Sequence, residues 1–298
     1  MRIPIAAASA PSLAVLIAAA LASSGDAWAQ DSPEATLDTV VISAQRSRQS
    51  SFDAPAAIST VTRETIELAG PQVNLSEALN RLPGITVLNR QNYAQDLQMS
   101  IRGFGSRATF GIRGVRLIVD GIPATMPDGQ GQASTVVLSS AGRIEVLRGP
   151  LAQLYGNAAG GVVQVFTEDD ALRPTATLST SAGPYGQMRL GTKFSTSTPG
   201  WGLTVDGSHF RTDGYRPHSD AQRGQLNARW QAALTPQTDL RVVLNALDQP
   251  ISHDPGGLTR ADWEANPRQT QPGAISQDAR KSVRQQQLGA VLEHRLSE

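Results

Sequence analysis

Among the residue types that do chemistry in proteins, this sequence of 298 residues offers four histidines, His209, His218, His253 and His294, and no cysteine. The histidines lack the short spacings that bring two ring nitrogens onto one metal, so the sequence predicts solvated or loop histidines and neither metal nor cofactor. Without cysteine there are no thiolate zinc sites, cysteine nucleophiles or disulfides, which suits an exported chain that needs no oxidative staple. No G-x-S-x-G elbow supports a serine nucleophile. The glycine-rich run Gly156-Asn157-Ala158-Ala159-Gly160-Gly161 lacks both the Lys-Ser/Thr ending of a phosphate loop and the spacing of a dinucleotide turn. The chain is therefore predicted not to be an enzyme. Lysine plus arginine equals aspartate plus glutamate at 26 each, so no net field draws nucleic acid.

The elements that must position these groups follow in order. Arg2 precedes an apolar run from Leu13 to Leu21 and then Ala27-Trp28-Ala29, the pattern of a secretory signal with a small-residue cleavage site. That run is too short to span a bilayer as a helix, and no later stretch approaches about twenty apolar residues. Residues 1–29 are expected to be removed. Residues 30–51 form a polar tether except for Leu37-Asp38-Thr39-Val40-Val41-Ile42-Ser43-Ala44, a β-former with nothing apolar beside it to pack on. It is open to capture by the edge of a partner's sheet; the alternative is an edge strand of the next domain. Residues 52–170 read as a small α+β domain. A capping box of Asn74 with Glu77 opens a helix with Leu75, Ala78, Leu79 and Leu82 on one face, and Pro83-Gly84 stops it. Short β runs follow at 84–88, 115–119, 144–147 and 162–166, with glycine-rich connections and a long loop at 121–135.

Five motifs of this domain, Leu75-Ser76-Glu77-Ala78-Leu79 with Leu82-Pro83-Gly84-Ile85, Ile101-Arg102-Gly103-Phe104-Gly105, Val119-Asp120-Gly121-Ile122-Pro123, Ile144-Glu145-Val146-Leu147-Arg148-Gly149-Pro150 and Leu154-Tyr155-Gly156, occur in an order and spacing that resembles the plug of TonB-dependent outer-membrane receptors. Residues 122–130 look most like receptors of the ferric-citrate type. Residues 37–44 resemble the family's TonB box. This resemblance makes Asp38, Thr39, Val40, Val41, Ile42 and Ser43 the segment expected to bind TonB, itself driven by ExbB and ExbD in the inner membrane. In the family, arginines matching Arg102 and Arg148 sit at the plug wall facing two barrel glutamates, where a planar guanidinium holds carboxylates bidentately. The other reading closes each in an ion pair within the plug, with Asp96, Asp120 or Glu145 as partners. Because the box must face the periplasm, the opposite pole of the plug faces the ligand, and loops 103–114 and 121–135 have the reach to form it. Arg107, Asp128, Gln130 and Gln132 are the expected ligand contacts, the arginine as a fixed cation for an anionic chelate. Alternatively, Arg107 closes a plug-wall ion pair and the glutamines are solvated.

From Ala176 the pattern changes to alternation, clearest where Leu226, Ala228, Trp230, Ala232 and Leu234 interleave with Gln225, Asn227, Arg229 and Gln231. In a soluble sandwich the apolar face would meet a second sheet; in an outer-membrane barrel it meets lipid, and the polar face lines the lumen. Connections at 198–200 and 235–238 are tight, whereas 212–222 and 250–281 are long and polar, as expected for periplasmic turns and extracellular loops. The predicted fold is an α+β plug domain followed by the first six or so antiparallel strands of an incomplete transmembrane β-barrel in residues 171–298. Plugged transporters have about 22 strands, so roughly sixteen more would follow, and the chain reads as a fragment or truncated product not competent for transport alone. The expected function is energised import of a ferric siderophore or similar metal chelate across the outer-membrane lipid. The alternatives are a signal-transducing receptor, which needs an extra folded domain before the box, and a passive porin or adhesin, which needs neither box nor plug. A soluble β-rich binding domain would have to bury its apolar faces within the chain.

Overall fold

The computed structural model describes residues 41–42, 49–50 and 57–296 other than 90, 109, 110, 127 and 157, with backbone alone at 41–42, 49–50, 150, 151 and 153. The predicted signal segment and Asp38, Thr39, Val40 and Ser43 of the predicted box lie outside the described residues. Val41–Ile42 (β1) pairs antiparallel with Gln49–Ser50 (β2) in a sheet of its own. The described part of the box is thus paired within the tether and is not an edge strand of the following domain.

That domain comprises β3 (Ala57–Thr62), α1 (Arg63–Ala69), α2 (Ser76–Leu79), β4 (Ile85–Leu88), β5 (Gln98–Ile101), β6 (Val115–Val119), β7 (Ile122–Pro123), β8 (Ala141–Arg148) and β9 (Gly161–Thr167). Its main sheet has the order β3-β8-β9-β6-β7, with β6 and β9 parallel, and β4 pairs with β5 as a separate ribbon. Parallel strands covered on both faces read as continuous apolar runs, and Val162, Val163 and Val165 of β9 are all buried. Ile66, Leu75, Leu79, Met99, Ile101, Leu117 and Ile144 fill the core between sheet, helices and ribbon. β3 and α1 escaped the sequence reading because their apolar signal is thin. Of their residues only Val61 and Ile66 are buried.

The predicted capping box is only half made. Helix α2 begins at Ser76 with Leu75 in the cap position and no side-chain cap. The Glu77 carboxylate does reach back, accepting from the N–H groups of Gln72 at 2.7 Å, Val73 at 3.0 Å and Asn74 at 2.8 Å. Burial outweighs these donors and holds the Glu77 carboxyl above its ordinary pKa. The Asn74 side chain instead points at Arg223, across the domain boundary.

Six antiparallel strands follow as a meander: β10 (Thr175–Ala182), β11 (Met188–Thr198), β12 (Trp201–Thr212), β13 (Ala221–Thr235), β14 (Thr238–Gln249) and β15 (Val283–His294). The connection between β14 and β15 carries α3 (Arg260–Ala265), opened by a capping box of Thr259 and Asp262, and α4 (Pro272–Ser276). The burial of this sheet is inverted relative to a soluble protein. Leu178, Leu288 and Leu292 are 70%, 74% and 63% exposed, while Asp206, Asn227 and Arg229 on the opposite face are at most 5% exposed. Among the described residues no helix is long and apolar enough to cross a membrane.

Candidate functional site

The polar face of the sheet is buried because the α+β domain sits on it, and the contact is built mainly from strand side chains that grip plug backbone. Period-two alternation aims Arg223, Gln225, Asn227 and Arg229 of β13 at the plug. Arg223 donates to the Val73 carbonyl at 2.9 Å, and Gln225 to those of Ser134 at 2.9 Å and Val136 at 3.2 Å. Asn227 donates to the hydroxyls of Ser140 and Thr167, both at 3.0 Å. Arg229 donates to the carbonyls of Thr167 at 3.1 Å and Glu168 at 2.8 Å. Ser139 donates to Asp206 of β12 at 2.5 Å, and Arg63 holds the Ser139 carbonyl from the plug side at 2.7 Å. Most groups of this interface find a partner in this way, as buried polar surfaces require, whereas the buried Nε of Arg229 has no hydrogen-bond partner among the described residues. At the far edge Ile122 of β7 presses on β15 so closely that a side chain on Gly289 would lie 2.2 Å from it. Toward the short-turn end a cavity of about 800 Å³ separates the two parts, lined by Arg116, Tyr155, Gln164, Arg229 and Arg241 among others.

Arg102 and Arg148 are brought together by the turn at Gly84, whose Cα lies beneath both side chains. Arg148 donates to the Pro83 carbonyl at 2.8 Å and to the Ser59 hydroxyl, while its buried Nε has no hydrogen-bond partner among the described residues. Burial and the neighbouring Arg102 charge lower the Arg148 pKa. The predicted partners within the plug are engaged elsewhere: Asp96 by Lys281 at 2.5 Å, Asp120 by the Thr167 hydroxyl at 2.6 Å and Glu145 by Arg143 at 2.8 Å. Among the described residues neither Arg102 nor Arg148 forms a salt bridge, which corrects the reading of an ion pair within the plug with those three carboxylates.

Of the four predicted ligand contacts, the structure unites two. Asp128 and Gln130 converge on Arg113, whose guanidinium donates to Asp128 at 3.3 Å and to Gln130 at 3.0 Å. Asp128 also accepts from the Gln130 N–H at 3.0 Å, closing a small exposed cluster. Arg107 is exposed and stands apart from them, and the Gln132 carbonyl accepts from Thr135 at the start of a short 3-10 turn. Sequence reasoning chose Arg107 and missed Arg113, although the Arg113-Gly114 pair beside a predicted strand repeats the Arg-Gly pattern already singled out twice.

At the opposite end of the sheet from the short turns, the long connections fold over the plug. Asp254 accepts from Asn92 at 2.7 Å and from Gln95, and Lys281 meets Asp96. Burial raises the Asp254 pKa, but donors from Gly256, Gln95 and Asn92 with the charge of Arg216 outweigh it, and the net shift is downward. Burial pushes the Tyr93 phenol up to about 12 against the opposing charge of Arg223, the ring packing on Phe210.

A plug domain seated on the polar face of a meander sheet whose other face is apolar defines the plug-and-barrel class of receptor. Residues 50–162 match the TonB-dependent receptor plug domain. That segment belongs to the plug-domain family of TonB-dependent receptors, and the proteins the chain is similar to are named as receptors and transporters. It is 36% identical over 156 residues to the iron-regulated outer membrane virulence protein of Vibrio cholerae, covering 49% of this chain and 22% of that protein. It is 33% identical over 173 residues to the vitamin B12 transporter BtuB of Photobacterium profundum, covering 57% and 27% respectively. The chain thus spans about a quarter of the length of these curated relatives. The unliganded ferric citrate transporter FecA superposes with a TM-score of 0.60 at 25% identity, covering 74% of this chain and 35% of that one. The siderophore receptor PirA of Acinetobacter baumannii gives the same TM-score at 19% identity, covering 80% and 37%. Equal scores against differently named receptors show a shared fold, and they do not favour the ferric-citrate type.

Proposed function

We propose that the protein acts in energised import of a ferric siderophore or similar metal chelate across the outer membrane. The observation that carries the reading is the inverted sheet: apolar side chains face outward, and the polar face is filled by a plug. Outward-facing Trp201 and Trp230 lie near the short turns, where an aromatic girdle would meet the membrane interface. Residues 52–170 form the plug, residues 171–298 contribute to the barrel wall, and Asp38, Thr39, Val40, Val41, Ile42 and Ser43 form the box that TonB captures by strand addition, with ExbB and ExbD as the remote drive. Arg102 and Arg148, two adjacent cations, face carboxylates of the barrel wall and couple the plug to it. Arg113, with Asp128 and Gln130, replaces Arg107 as the best-supported anion contact of the plug's outer loops. Deleting residues 38–43 from the complete receptor should abolish uptake of a radiolabelled ferric chelate while cell-surface binding persists. Equal loss of binding and uptake would overturn the assignment of the box.

A further inference from the structure

Two histidines separated by 35 positions in the chain meet where the connection after β12 (residues 213–220) touches the one after β14 (residues 250–282). The rings of His218 and His253 lie 4.2 Å apart, tilted at 36°. The Asp278 carboxylate completes the group: its Oδ1 is 3.4 Å from His253 Nε2 and 3.9 Å from His218 Nε2. These three donor atoms all lie within 4.8 Å of one another. Ligands held tetrahedrally at about 2.0–2.1 Å from a zinc ion stand roughly 3.4 Å apart, so the His253–Asp278 edge already has the length required, and the other two, 3.9 Å from His218 to Asp278 and at most 4.8 Å between the histidines, shorten on binding.

The surroundings orient each donor. Asp220 accepts from His253 Nδ1 at 2.7 Å, which places the proton there and turns the Nε2 lone pair toward Asp278, the carboxylate–histidine arrangement of metal ligands. Arg280 holds Asp278 Oδ2 at 3.2 Å and leaves Oδ1 aimed at the two imidazoles. His218 Nε2 now faces the Ala279 carbonyl at 3.0 Å, a contact that a bound ion would replace. His218 and Asp278 both hold left-handed backbone, with φ of 59° and 50°, so two of the three donors are fixed in a sparsely populated conformation.

We propose that His218, His253 and Asp278 form a site for a divalent transition ion of the zinc type, with a water in the fourth position, tying the two connections together. Two imidazoles and one carboxylate suit such an ion and not calcium or magnesium, which prefer sets made of oxygen alone. The segments are already drawn together by Arg216, whose guanidinium reaches the carbonyls of Gln269, Gly256 and Pro255, so the donors are placed before the ion arrives.

The test is zinc titration of the untagged full chain in detergent by calorimetry, with cobalt absorption as a report of coordination. One equivalent should bind, with the intense bands of tetrahedral cobalt, and the H218A, H253A and D278A variants should lose it. Asp220→Asn, which leaves all three ligands, should weaken binding by about tenfold to a hundredfold. His209→Ala, outside the cluster, should bind as the parent does. Absence of saturable binding, or binding that survives the double variant H218A/H253A with β-sheet circular dichroism unchanged, would overturn the site.

Discussion

In the plug, Leu79, Met99, Ile101 and Leu117 are fully enclosed; in the sheet beside it Leu178, Leu288 and Leu292 stand in the open and Asp206, Asn227 and Arg229 are enclosed. On the proposed function the two regions obey one rule in different solvents. The plug buries apolar area away from water, at about 25 cal/mol per Å². On the proposed function the sheet presents its apolar side chains to lipid, so its inner face can be polar, provided each buried group finds a partner. That requirement is why the plug backbone and the strand side chains are so closely matched, and why the interface relies on hydrogen bonds more than a domain core does, with Phe210, Val243 and Leu247 packed among them.

Substitutions that exchange the two logics should break the molecule in distinct ways. The largest effect is expected in the plug core, where Leu79→Ala should destabilise by about 2–5 kcal/mol, read from chemical denaturation in detergent. Leu244→Ala, on the outward face, should cost far less in the same assay, and equal losses would contradict the lipid-facing reading. Leu244→Arg should cost about 2–4 kcal/mol when folding is measured into bilayers if this position lies near the midplane. Asn227→Leu, apolar where the sheet is polar, should cost about 1–3 kcal/mol by removing the donor to the hydroxyl oxygens of Ser140 and Thr167, seen as earlier thermal unfolding. Gly289→Val leaves β15 a good strand former but places side-chain atoms where Ile122 sits, so proteolysis should cut the plug more readily while the strands stay protected.

The smallest effect expected is a dependence on pH at the clasp of the long connection on the plug. Because the folded pKa of Asp254 is lowered, its contribution is fully present above the ordinary aspartate value of about 3.9 and is lost as pH falls through the folded value. Protection from hydrogen exchange at the Gly256 N–H and the Asn92 side-chain amide, taken relative to the intrinsic rate at each pH, should therefore fall in acid. Asp254→Asn should remove that acid response, and an unchanged response in this variant would place its origin elsewhere.

Local pattern determined much of this protein. Alternation at residues 225–234 fixed which side chains of β13 face inward, because side chains project with period two in any strand. Tight and long connections set the order of the meander, and the Gly84, Asp120-Gly121 and Gly149 motifs located turns where Gly84, Asp120, Gly121 and Gly149 all take positive φ. β3 and α1 stayed hidden because two buried residues are too weak a periodic signal. The half-made capping box shows a second limit: Asn74 has a partner on β13, and no local rule anticipates a competitor 149 positions away. The same holds for Arg113, which gathers Asp128 and Gln130, and for His218, His253 and Asp278, which no spacing joins. Local patterns record what neighbours along the chain impose on each other through backbone sterics and periodicity. Which donor meets which acceptor across two connections was decided only by the tertiary fold, because those contacts depend on how whole strands and loops are laid side by side.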